Sequence, residues 1–509
     1  MMRKIPNYIE GYGKVTPFSG AFSDMGAKKV IGVEITPKAP GESKLVASIE
    51  EFFKKYPPFD GMTLSFHHHL RNGDSVLNAV FSELEKYPVK EITLVASSLF
   101  PVHAPLVKWI EQERLVKIYT NYMSGPVAKA VSQGKLKYPV VMQTHGGRAR
   151  AIEVGEITID FAFIASPSCD AYGNINGVNG KSACGALGYA HVDAEYGRHV
   201  VAITDNLVSY PNTPIEIFQH RVDSVIVVES IGNPAGIVSG TTKITKDPLG
   251  LKIAKMAAKV IEHSGYLKEG FSFQTGAGGT SLAVAKEVKE LMLSKGIKGS
   301  FASGGITGYM VDMLRMGLFQ TLFDVQCFDL DAINSMKENP SHQRMSASLY
   351  GNPHCKGAIV NNLDVVILGA TEIDTQFNVN VTTASNGMIM GGSGGHSDTA
   401  AGAKLTIIVT NLIKARLPIV KECVTTITTP GESVDVVVTE RGIAVNPKHS
   451  ELIEKLKKVG LPLFTIEELK DMAYAISGKP ARVDFEERVV GIVEYRDGSV
   501  IDVIYPMKG

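Results

Sequence analysis

The sequence predicts an α/β protein built from two tandem homologous open α/β domains, with mostly parallel sheets and a site between the halves. Three observations lead there. Short apolar runs alternate with helical stretches along the 509 residues, the grammar of parallel sheets covered by helices. A segment near 160–204 returns near 364–410. Glycine-rich loops follow several apolar runs, at strand ends where such folds take ligands.

Taken in order, residues 1–45 are rich in Gly, Pro and Lys and read as an irregular wrapping segment. Residues 60–66 read as a buried strand ending in the polar loop His67–Asp74, followed by a helix over about 75–87 and a strand over 91–96. The apolar run 138–142 leads into Gln143-Thr144-His145-Gly146-Gly147-Arg148-Ala149-Arg150, read as a strand and then a polar loop. The same grammar returns as strand 269–274, loop 275–279, helix 280–294 and strand 299–302. The stretch 384–404 carries glycines at 387, 391, 392, 394, 395 and 402, between the apolar runs 365–368 and 405–409.

The repeat is ungapped. Asp160, Asp170, Asn174 and Asn176 meet the same residue types 204 positions later, at Asp364, Asp374, Asn378 and Asn380. Residues 223–230 likewise parallel 435–441. The expected division is 1–245 and 246–509, joined near 246–250. Presence in both halves marks the repeated Asn and Asp residues as structural turns.

Composition excludes several classes. With 52 basic and 52 acidic residues there is no bulk charge to hold a nucleic acid. No apolar run reaches bilayer-spanning length, and no apolar segment follows the first charges. The five cysteines form no C-x-x-C pair, so neither a disulfide framework nor a metal site is expected and the cysteines are assigned to the core. The expected location is cytoplasmic.

Chemistry concentrates at the strand ends. Gly276, Gly278, Gly279, Gly391, Gly392, Gly394 and Gly395 permit close backbone approach, and their N–H groups suit an anion or an oxyanion. The His67–His69 run alternates faces in extended chain, which argues against metal and for a polar pocket wall. Arg71 suits bidentate grip of a carboxylate; His145 and Arg148 suit an anion. Asp398 is expected to cap a helix starting near Thr399, and Glu440 to pair with Arg441.

Five pieces carry a family resemblance: D-G-M-T-L-S-F-H-H-H-L-R-N-G-D at 60–74, Q-T-G-A-G-G-T at 274–280, A-S-G-G-I-T-G at 302–308, the loop at 384–404, and V-V-T-E-R-G-I-A-V-N-P at 437–447. Together they resemble the coenzyme A transferase superfamily and, within it, the alpha subunits of citrate lyase, over essentially the whole chain. The resemblance implies exchange of acetyl for citryl on a carrier-protein thioester, with citrate and acetate as small partners. It also implies an acyl carrier (gamma) subunit, a citryl lyase (beta) subunit and a homo-oligomer. No cofactor would be tightly bound; the coenzyme A-like group would arrive on the carrier, with acetyl-coenzyme A as a surrogate.

The covalent transferases carry a glutamate nucleophile where this sequence has Ser303, in a turn expected at 302–305; with Ser385 taken as the counterpart instead, glutamate is absent as well. That departure implies direct transfer in a ternary complex. The candidate catalytic residues are Ser303, His67 and Asn72. The candidate substrate-binding residues are Arg71, His145 and Arg148. Asn386 and His396 join the glycines as candidates for the thioester arm. The rivals are a covalent coenzyme A transferase or acyl-CoA hydrolase, disfavoured by the missing glutamate, and a non-catalytic assembly subunit, which would not need such dense polar loops.

Overall fold

The computed structural model describes residues 5–23, 35, 37–238, 243–276, 278–481 and 483–508. Two large sheets carry the chain. The first has ten strands, in spatial order Val500–Ile504, Gly491–Glu494, Val140–Met142, Leu115–Thr120, Ile92–Ala96, Thr63–Phe66, Ile159–Ser166, Gly197–Thr204, Ser224–Val227 and Leu45–Val46. The second has nine: His342–Arg344, Phe319–Cys327, Gly299–Ile306, Phe271–Thr275, Val365–Gly369, Leu405–Val409, Val436–Val438, Ile443–Val445 and Leu463–Phe464. Neighbours run parallel except at one hairpin in each sheet, Gly491–Glu494 with Val500–Ile504 and Val436–Val438 with Ile443–Val445. The central strands read as continuous Val/Ile/Leu runs because they are buried on both faces. The fold class is the one the sequence predicts.

The duplication is visible atom by atom. Asp160 accepts the Thr63 N–H at 2.9 Å, and Asp364 accepts the Ser272 N–H at the same distance, each fixing the start of a neighbouring strand. Asp223 and Asp435 likewise accept the N–H groups of Val200 (2.8 Å), midway along its strand, and Thr406 (2.7 Å). Asp170 and Asp374 each fold a short turn by accepting the amides of Asn174 and Asn378. Each half also carries a small three-stranded sheet of matching order, Ile175–Asn176, Ser168–Asp170, Leu207–Val208 and Val379–Asn380, Glu372–Asp374, Val420–Lys421.

The structure departs from the sequence expectation in several places. The hairpin at 491–504 lies in the first sheet, beside Val140–Met142, so the last stretch of the expected 246–509 unit completes the sheet of the other half. Ser303 is not in a turn: the Gly299–Ile306 strand runs through it, bulged between Gly304 and Gly305, with Gly304 at φ +111°. The polar stretch after Thr144 is a helix, His145–Glu153. Three cysteines are buried, but Cys355 is only partly so and Cys423 is exposed. No helix among the described residues is long and apolar enough to cross a membrane.

Candidate functional site

A cavity of about 430 Å³ opens between the halves. The first half contributes Tyr122, His145 and Tyr189; the second contributes Gln274, Tyr350, Phe328, Ser393, His396 and glycines 276, 278, 305, 369, 392 and 395. Among the described residues, the lining contains no aspartate, glutamate, lysine or arginine. A larger groove of about 1320 Å³ lies elsewhere, mostly in the second half, bordered by Asn386, Cys423 and Tyr474 with Ile5 at one side. Of the loops that meet at the smaller cavity it touches only the start of the 384–404 stretch, at 384–386, so the chemistry is placed at the smaller one.

The wall from the first half is built on the start of the His145–Glu153 helix. Thr144 caps it by accepting the Gly147 N–H at 2.8 Å, and His145 N–H donates to Gly394 O at 2.8 Å. Asp398 reaches across from the second half, accepting the Gly146 N–H at 2.9 Å and the Thr144 hydroxyl at 2.8 Å. It is the third residue of its own helix, His396–Gly402, which Gly395 caps, and its carboxylate serves the N-terminus of the other half's helix instead. Burial pushes the Asp398 carboxyl up to about 6, against the opposing pull of Arg496.

His145 has one defined tautomer. Asn121 Nδ2 donates to the Thr144 carbonyl at 2.8 Å, which turns its Oδ1 toward His145 Nδ1 at 3.3 Å. A carbonyl only accepts, so Asn121 has no alternative orientation there; Nδ1 carries the hydrogen and Nε2 the lone pair. Nε2 lies 3.2 Å from the Tyr189 hydroxyl. Burial, then the Arg148 charge, lowers His145 to about 3, so the ring is neutral.

On the other wall, Ser303 Oγ donates to Gln274 Oε1 at 2.9 Å and Gln274 Nε2 donates to the Tyr350 hydroxyl at 2.8 Å. Ser303 is behind the lining rather than in it. Gly395 packs so close to the Tyr350 oxygen that any Cβ there would overlap it. Gly278 caps the 17-residue helix Gly279–Lys295, whose N-terminus faces the cavity through Gly278 and Ser281. Such a helix end favours negative charge.

The predicted residues divide accordingly. His145, Gly276, Gly278, Gly392, Gly395 and His396 line the cavity. His396 is held by Thr429 (2.7 Å) and the Gly369 carbonyl (2.9 Å), and burial lowers it to about 4. Gly391, Gly392 and Gly394 serve the seam between halves: Met123 N–H donates to Gly391 O, Gly394 N–H to Asn121 O, and a Cβ at 392 would strike the Asn121 carbonyl. Gly279 packs on the backbone of Lys243 and Thr245. Asn386 is exposed at the larger groove. Asn72 is exposed too, accepting the Val102 N–H at 3.0 Å. His67 is buried against His69, ring centroids 3.9 Å apart, outside the lining.

Arg148 is not in the cavity. Its guanidinium is fully buried on Asp193 (2.9 and 3.1 Å) and the Ser65 hydroxyl (2.8 Å), so the expected anion contact is replaced by an internal ion pair. Arg71 is different. It holds φ +51°, lies between Phe100 and Phe328, and leaves Nη1 buried with no hydrogen-bond partner among the described residues. Phe328 lines the cavity, and Tyr122 and Tyr189, also in the lining, lie within electrostatic reach of the guanidinium. Glu440 accepts the Leu412 N–H at 2.9 Å, with Arg441 Nε 3.9 Å away.

Sequence reasoning missed Tyr189, Tyr350 and Gln274, none of which stands out from its neighbours by spacing. It also missed the buried group Asp324, Cys327 and His342, whose possible ligand atoms lie within 4.8 Å of one another. In the structure these side chains bond each other, Cys327 to Asp324 at 3.0 Å and His342 to Asp324 at 3.1 Å.

Comparison with known proteins places the chain in a family. The family model "Citrate lyase, alpha subunit" matches residues 42–507. The citrate lyase alpha chain of Klebsiella pneumoniae is 47% identical over 504 residues, 99% of this chain and 97% of that one. The Escherichia coli chain of the same name is 48% identical, covering 92% of each. A solved structure described as a putative alpha subunit of citrate lyase from Streptococcus mutans, in complex with citrate, superposes with TM-score 0.96 at 46% identity, covering 100% of this chain and 99% of that one. A malonate decarboxylase alpha subunit from Acinetobacter baumannii shares the fold at TM-score 0.63 and 13% identity, over 86% of this chain and 85% of that one. The chain belongs to the citrate lyase alpha-subunit family.

Proposed function

We propose that this chain exchanges acetyl for citryl on a carrier-protein thioester, by direct transfer in a ternary complex. The supporting observation is the pairing of an acid-free cavity with Arg71. Among the described residues no carboxylate lines the cavity, which leaves a glutamyl thioester without a candidate side chain there. Arg71 sits strained at its edge, its Nη1 unpaired among the described residues, and strain of that kind is retained at functional sites. The guanidinium would take a citrate carboxylate, a bidentate match.

The atoms then balance without a base. A citrate carboxylate oxygen attacks the acetyl thioester carbon, and the C–S bond breaks to give a mixed anhydride and thiolate. The thiolate attacks the citryl carbonyl, and the C–O bond breaks to release acetate. No proton is consumed. Oxyanions form at both steps, and losing one donor to such an oxygen typically slows catalysis by about 10²–10³. The N-terminus of the Gly279–Lys295 helix and the Tyr350 hydroxyl face the cavity as donors. Ser303 acts in this reading by orienting Gln274, not as a nucleophile. The coenzyme A-like arm would come in on an acyl carrier subunit, beside Gly276 and Gly278. A citryl lyase subunit would consume the product, and the working form would be a cytoplasmic homo-oligomer within that complex.

The test is mass spectrometry of the chain with acetyl-coenzyme A, alongside an assay for citryl thioester when citrate is added. Thioester exchange without a covalent adduct on the chain supports the reading; an adduct on a glutamate overturns it. Arg71→Gln should raise the KM for citrate by about tenfold or more, with the KM for acetyl-coenzyme A little changed.

A further inference from the structure

The cavity wall carries a directional relay that starts at a backbone carbonyl. Thr144 O accepts from Asn121 Nδ2, Asn121 Oδ1 accepts from His145 Nδ1, and His145 Nε2 is left as a lone pair facing the Tyr189 hydroxyl. Because the first acceptor is a carbonyl, each later direction is forced. The hydrogen of Tyr189 is therefore committed to His145, and its oxygen has only lone pairs left to offer. The phenol is held in place, its ring stacked on His68 at 4.5 Å, and His68 in turn is fixed by Ser97 at 2.6 Å. Burial holds Tyr189 far above the ordinary phenol range and His145 well below the ordinary imidazole range, so neither end of the relay changes state near neutral pH.

An acceptor-only oxygen in a substrate cavity repels a carboxylate and welcomes a hydroxyl. Citrate differs from propane-1,2,3-tricarboxylate by one hydroxyl group on the central carbon. Resting on the citrate reading above, we propose that Tyr189 is a specificity-determining residue, accepting the hydrogen of the substrate's tertiary hydroxyl, and that His145 and Asn121 are positioning residues that keep Tyr189 an acceptor. The substrate class is thereby narrowed to hydroxylated polycarboxylates. Sites that hydrogen-bond a substrate hydroxyl reject the analogue lacking it far more strongly than apolar pockets reject a missing methylene.

The experiment compares kcat/KM for citrate and for propane-1,2,3-tricarboxylate, each with acetyl-coenzyme A, in the wild-type chain and in Tyr189→Phe and His145→Phe. The wild-type ratio should be on the order of 10² or more. Tyr189→Phe should reduce it to within about tenfold of unity, chiefly by lowering the citrate value. His145→Phe keeps the phenol but frees its hydrogen, and should reduce the ratio as well. Because both acids are measured in each variant, a general loss of folded protein cancels. A wild-type chain that uses both acids equally, or a Tyr189→Phe variant that keeps the wild-type ratio, overturns this proposal and leaves the citrate reading standing. A wild-type chain that forms no thioester with citrate overturns both.

Discussion

Asp398 and Arg148 are both buried charges, and each has a consequence that can be measured. The Asp398 carboxyl holds its proton to about pH 6 in the folded chain, against an ordinary value of 3.8. Between those values the native state binds more protons than the unfolded state, so this group's contribution is full below about pH 4 and is lost as pH rises through 6. The loss is roughly 2–4 kcal/mol. Urea unfolding of wild type and Asp398→Asn at pH 4.5 and 7 should show that part of the slope in wild type alone. Arg148→Met strands the Asp193 charge in the core, which typically costs about 3–5 kcal/mol; whatever folds should keep its KM for citrate. Ser303→Ala removes a hydroxyl that orients Gln274, so kcat should fall by less than about tenfold. A nucleophile would lose essentially all activity, and kcat measurement separates the two.

At the scale of elements, glycine positions decide how the halves meet. A Cβ at Gly146 would strike the Gly351 carbonyl, and one at Gly392 the Asn121 carbonyl. Both obstacles are backbone and cannot swing away. Gly146→Ala should therefore destabilise the protein by about 1–3 kcal/mol, read as a lowered denaturant midpoint. This also shows what the sequence could convey. Strand, loop and helix follow from hydrophobic period and turn residues, so the order of elements and the duplication were legible from Asp160, Asp170 and their partners. A glycine only says that something comes close, and neighbouring backbone needs it as much as a ligand does. Hence glycines 391 and 394 were read as ligand-facing although they form a seam. Arg148 was misplaced for a related reason: its partner, Asp193, lies in a separate helix that only folding brings near. Tyr189 and Tyr350 carry no spacing signal, and their roles arise from hydrogen-bond direction alone.

At the scale of the whole molecule, the two halves share a duplicated plan and meet at a cavity neither could build alone, since His145 and Tyr189 come from one and Gln274, Tyr350 and His396 from the other. Removing residues 486–509 would bare the edge of Val140–Met142, which pairs with Gly491–Glu494, and open sheet edges promote association. The truncated chain should elute as soluble aggregate or unfold at a lower temperature, as size-exclusion chromatography and calorimetry would show. The returning hairpin also sets a timetable. Chains usually complete their N-terminal units first as they emerge from the ribosome. Here the first sheet waits for its outer strands until residues 491–504 have been made, so the earlier-born half is finished only after the later-born one.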